Sequence, residues 1–176
     1  MRSDLISTAC LAAAVACSPA KVDSLLPMDG AGPAYVAAHC AVPVRITRRT
    51  VGEGDDAQTL VDHRCLDSRS PQRLILAVEF NEATGQTVDL ELGVSERTRS
   101  EADASFQRHY AAFVEPYIAA SQRDAARTFA MEPVASTSAS SMDDTADRTL
   151  VLSRRVSDTM YASRVLTITR HIRGVQ

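Results

Sequence analysis

The side chains best equipped for chemistry are sulfur and imidazole groups. The chain carries four cysteines, Cys10, Cys17, Cys40 and Cys65, and four histidines, His39, His63, His109 and His171. His39-Cys40 and His63-x-Cys65 form two matching pairs, and two imidazoles with two thiolates make a zinc-type donor set. The spacing is not that of a usual zinc motif, and adjacent side chains of an extended segment leave the backbone on opposite sides. In an oxidising compartment the two thiols pair with each other instead. A Cys40–Cys65 disulfide is therefore expected, with no metal and no cofactor. Closing that loop would stabilise the fold by about 3 kcal/mol.

Other reactive groups lack partners in the sequence. Asp55-Asp56 and Asp143-Asp144 fall in polar, loop-like stretches. Neighbouring carboxylates can share a cation or a proton, but neither pair sits in a twelve-residue calcium loop. The chain has no Gly-x-Ser-x-Gly elbow and no phosphate-binding glycine loop. His109 stands among helix-forming residues beside Tyr110, and His171 lies in Arg170-His171-Ile172-Arg173. No catalytic residue is assigned on this reading.

Arginines on strand-like segments are the remaining feature. Arg45, Arg48, Arg49 and Arg64 belong to a first hairpin, and Arg148, Arg154, Arg155, Arg164, Arg170 and Arg173 to a last one. Side-chain direction repeats every two residues along a strand, so Arg45 and Arg49 share a face. If the two hairpins are neighbours, Arg45, Arg49, Arg154, Arg155 and Arg170 build a basic outer face on a chain of net charge −3. Such a face suits an acidic protein partner or anionic lipid headgroups. The plainer alternative is a solvated face paired with Asp89 and Glu91. Nucleic acid is not indicated, because that ligand needs a concentrated basic surface. Tryptophan is absent, which disfavours an aromatic-lined carbohydrate cleft.

These residues need elements to position them. Val42, Val44 and Ile46 alternate with polar residues as a half-buried strand, and Gln58–Arg64 returns as its partner after a Gly52–Asp56 turn. Leu74, Leu76, Val78 and Phe80, then Val88, Leu90, Leu92 and Val94, predict a second hairpin. Thr98-Arg99-Ser100-Glu101 is a capping box. Phe106, Tyr110, Phe113 and Tyr117 follow at helical spacing, a stripe that reads as core. Pro116 should kink or restart that helix near Glu115, with the second piece reaching about Ala126. Thr128–Val134 reads as a further strand, and residues 135–147, rich in serine and aspartate, as a loop. Thr149–Val156 and Tyr161–Ile172 close the chain as a hairpin. The expectation is α+β: an antiparallel sheet of about seven strands in hairpins, packed against one kinked helix, with a β-sandwich second.

The opening residues decide the compartment. Arg2 is followed by the mostly apolar run Leu5–Val15 and then by small residues, the layout of a secretory leader. The run is shorter than the roughly 20 apolar residues that span a bilayer. Ala14-Val15-Ala16-Cys17 resembles the lipobox of bacterial lipoproteins. The resemblance implies that Cys17 is acylated and becomes the first residue of the mature chain. Ala14-Val15-Ala16 and Ser18-Pro19-Ala20 also fit cleavage sites for soluble export. Cysteine parity favours lipidation: with Cys10 removed and Cys40 paired to Cys65, Cys17 is left over. The organisation expected is a leader over 1–16, a lipidated N-terminus and tether over 17–34, and one periplasmic domain over 35–176.

The leading expectation is a non-enzymatic envelope lipoprotein that binds a protein partner and meets the membrane through its lipid. Small lipoproteins of this plan include assembly factors and immunity proteins. Ser18, rather than Asp, after the cysteine implies the outer membrane. Soluble periplasmic or secreted forms are the alternative. The rival functions are an exported hydrolase, or a carrier of a small apolar ligand lined by the aromatic stripe. Histidines and carboxylates converging in one cleft would favour the hydrolase.

Overall fold

A computed structural model describes residues 31–69, 73–133, 136–145, 148–157 and 162–172. The leader, Cys10, Cys17 and most of the expected tether lie outside the described residues. The described chain is α+β, with one seven-stranded sheet and a helical layer.

The strands are β1 (Arg45–Val51), β2 (Gln58–Asp67), β3 (Arg73–Asn81), β4 (Thr87–Glu96), β5 (Ser136–Thr145), β6 (Arg148–Ser157) and β7 (Ala162–Ile172). Their order across the sheet is β1-β2-β3-β4-β7-β6-β5, and every neighbouring pair is antiparallel. Alternation in β3 and β4 sends Leu76, Val78, Leu90 and Leu92 to one buried face, where Leu152, Leu166 and Ile168 join them. Val42 and Val44 precede β1 and pack against the core from outside the strand.

The helices cover that apolar face. Helix α1 (Ala31–His39) packs on β2 and β3, and α2 (Arg99–His109) packs on β4 and β7. The expected capping box forms. The Thr98 hydroxyl accepts from the Glu101 amide at 3.3 Å, and the Thr98 amide donates to the Glu101 carboxylate at 3.1 Å. After α2 the backbone widens into a π turn (Tyr110–Val114) and tightens into a 3-10 turn (Glu115–Tyr117). Pro116 lies in that last turn, where its missing amide hydrogen stops an α-helical ladder. A 3-10 turn (Ala120–Gln122) leads into α3 (Arg123–Met131). Phe106, Tyr110, Phe113 and Tyr117 are all buried, so the stripe fills the layer between helices and sheet.

Four expectations need correction. The helical layer is not one kinked helix, because α1 and α3 are separate from α2. Thr128–Met131 belongs to α3 and not to a strand. Ser136–Thr145 is the edge strand β5 and not a loop, since β6 pairs with it antiparallel along its length, with one register shift between Asp143 and Thr145. The first and last hairpins are not neighbours, because β3 and β4 stand between β2 and β7.

Cys40 and Cys65 are bridged, with Cα atoms 5.7 Å apart. Cys65 sits inside β2 opposite Leu76. The bridge thus ties the end of α1 to the sheet from the helical side, and both thiols of the zinc-type set are consumed.

Candidate functional site

A cleft of 640 Å³ opens where the end of α1 meets the end of α2. His39 at the end of α1 and Ala41 just after it border the cleft, with Ser105, Arg108 and His109 from α2. The sheet contributes Asp67 at the end of β2, Arg73 and Leu74 at the start of β3, and Glu96 at the end of β4. Antiparallel pairing brings those three strand ends to the same edge of the sheet.

Tyr35 organises the imidazoles. Its hydroxyl is 2.9 Å from His109 Nδ1, and His39 Nδ1 is 3.0 Å from the Tyr35 carbonyl. A carbonyl can only accept, so His39 carries its proton on Nδ1. The Tyr35 ring stacks between the His39 ring, 3.9 Å away, and Phe113, 5.1 Å away. Burial raises the Tyr35 phenol above its ordinary value. Burial, with help from His39 and Arg108, lowers the His109 imidazole. At neutral pH a protonated phenol therefore faces a neutral imidazole. Tyr35 and His109 Nδ1 share one hydrogen bond, whose donor follows the imidazole tautomer, and His109 Nε2 is left outside it.

The charges around the cleft are unequal. Arg69 forks onto Asp67, with its Nη2 atom 2.6 Å from one carboxylate oxygen. Arg73 and Arg108 make no ion pair among the described residues. Both are exposed.

The opposite face of the sheet holds a second recess, of 330 Å³, lined by Thr47, Arg49, Asp62, Arg64, Glu79 and Asp89. It is internally compensated. Arg49 meets Glu79 at 2.7 Å, and Arg64 bridges Asp62 at 3.1 Å and Glu91 at 2.8 Å. Asp89 accepts from the Thr169 hydroxyl at 3.1 Å, and burial raises its carboxyl above the usual range.

The arginines proposed as one face are scattered. Arg45 and Arg49 lie on β1, where every residue from Arg45 to Thr50 is exposed. Arg155 is exposed on β6, with β7, β4, β3 and β2 between it and β1. Arg154 is a correction, because only 6% of it is exposed and it points under α3. It donates to the Phe129 carbonyl and the Ser138 hydroxyl, both at 2.7 Å, pairs with Glu132, and lies 4.8 Å from the Phe129 ring centre. Buried Arg164 does the same work beside it, donating to the Ala130 and Glu132 carbonyls and to Asp103. The two guanidinium groups satisfy carbonyls that the end of α3 leaves open. The Arg170 backbone pairs with Leu150; its side chain lies outside the described residues.

Of the remaining candidates, His63 packs 5.5 Å from Phe80, and burial lowers its imidazole. Asp55 and Asp56 sit in a 3-10 turn, whereas Asp143 lies in β5 opposite Thr149. The His171 backbone pairs with Thr149. The Tyr35–His109 contact was missed from sequence because it joins residues 74 positions apart. Compared with protein-family models, curated proteins and solved structures, the chain matches none.

Proposed function

We propose that the chain is a lipid-anchored bacterial envelope protein whose domain holds an acidic protein partner along β1. The observation that carries the reading is the state of that strand. It is an edge strand, exposed from Arg45 to Thr50, with three arginines and no acid in seven residues. An unpaired edge offers a row of backbone donors and acceptors to an incoming strand. Arg45 makes no ion pair among the described residues, and Arg48 meets Glu82 only at the surface. A second copy of β1 would set arginine against arginine, so an acidic extended segment fits better than self-pairing. The lipobox resemblance at Cys17 supports the anchor, and Ser18 the outer membrane.

The test combines the two halves of the reading. Cys17→Ser should move the protein from the membrane to the soluble periplasmic fraction. Arg45→Glu with Arg48→Glu should abolish in-cell crosslinking of β1 to its partner while leaving the melting temperature within a few degrees. Arg49 stays in place because the half-buried Glu79 depends on it. An unchanged crosslinked product in the charge-reversed chain would overturn the β1 assignment.

A second reading, an exported hydrolase, draws on His39, His109, Asp67 and Glu96 lining one cleft. A general base needs a free ring nitrogen aimed at its substrate, and Tyr35 holds one of the two His109 nitrogens. Turnover of ester, phosphoester or peptide substrates, lost in His109→Gln, would favour this reading over the binder.

A further inference from the structure

We infer that the cleft between α1 and α2 is a receptor for a phosphoryl group. Two guanidinium groups without ion partners among the described residues line it, with two imidazoles beside them. Arg73 and Arg108 line it with no ion pair among the described residues, from β3 and α2 respectively. A guanidinium presents its N–H groups as a fork that matches two oxygens of a tetrahedral anion. Tyr35 occupies His109 Nδ1, which leaves Nε2 as the ring nitrogen open to a ligand. His39 lines the opposite wall, held by its own Nδ1–H bond to the Tyr35 carbonyl and by stacking on the Tyr35 ring. Its ring centre is 6.0 Å from that of His109.

The two carboxylates of the cleft do not cancel this. Asp67 is engaged by Arg69 through both of its oxygens. That leaves Glu96 alone against Arg73 and Arg108. A carboxylate at the rim also accepts from hydroxyls, which favours an anion carried on a hydroxylated small molecule. The volume, 640 Å³, is in the range of sites for small organic ligands. The assignment does not depend on β1, whose arginines stand at the far edge of β2.

Two sources share this chemistry: a soluble phosphate monoester, and a phospholipid headgroup presented by the membrane. Titration of the whole, disulfide-bonded chain with inorganic phosphate, glycerol 3-phosphate and phosphatidylglycerol vesicles separates them. The His39 and His109 imidazole resonances should move saturably with at least one probe, while equal concentrations of chloride leave them in place. Saturation by glycerol 3-phosphate assigns a soluble ligand; saturation by vesicles alone assigns a headgroup. Arg73→Gln with Arg108→Gln should weaken the response at least tenfold. Both residues are exposed, so the double variant keeps the fold, and the wild-type resonances decide the matter independently if it does not. Unmoved imidazoles with all three probes, or undiminished binding in the double variant, overturns the proposal.

Discussion

His109 couples stability to pH at the scale of a single residue. Its folded imidazole titrates below the ordinary value, chiefly through burial. An unfolded chain would take up the proton near pH 6.5. Between those two points the unfolded state holds more protons, so acid favours unfolding. Stability should be full above about pH 6.5 and fall as the pH drops through the window below it. Urea midpoints at pH 7.5 and 5.5 measure the loss. His109→Gln, which keeps an acceptor for the Tyr35 hydroxyl, should show a smaller difference than wild type. His63 shifts in the same direction and accounts for part of what remains. The two buried arginines carry a lesson at the same scale. Arg154 falls in step with Leu150, Leu152 and Val156, and Arg164 with Leu166 and Ile168. The alternation alone therefore put both on the apolar face. Their charge argued for the surface, and the open carbonyls at the end of α3 decided otherwise.

At the scale of elements, α1 depends on one glycine. A Cβ on Gly32 would stand 2.1 Å from the Tyr117 hydroxyl and 3.0 Å from Val78. Gly32→Ala should cost about 1–3 kcal/mol, as overpacking does in a filled core. Tyr117→Phe in the same chain removes the nearest clashing atom, so the double variant should be less destabilised than the sum of the two singles. Chemical denaturation of all four chains gives the coupling directly. Without that contact the sequence shows little of α1, since Gly32 and Pro33 read as tether. Proline is tolerated in a first helical turn, where an amide would have no partner anyway. The β3–β4 hairpin and the capping box were legible because each is written locally, in alternation and in a four-residue spacing. Strand β5 was not. Its serine run has weak strand preference of its own and takes its form from β6. The cleft was illegible for the same reason at longer range, since α1, α2 and three strand ends each contribute between one and three residues.

For the whole molecule, the seam between β4 and β7 is the long-range feature. Asp89 and Thr169 touch across it, 80 positions apart in the chain. Strands β6 and β5 hang from β7 and have no other neighbour in the sheet. A chain ending before Ala162 would therefore lose three of the seven strands from the sheet and uncover Leu90 and Leu92 beneath α2. Such a truncation should give no cooperative unfolding transition and should be cleared by proteases. A well-dispersed amide spectrum with a sharp melt would contradict that expectation.

The seam also dictates timing. Because the central pairing waits for the last described strand, the polypeptide cannot close its core while that strand is still inside the ribosome. Completion of the fold is thus tied to the arrival of β7.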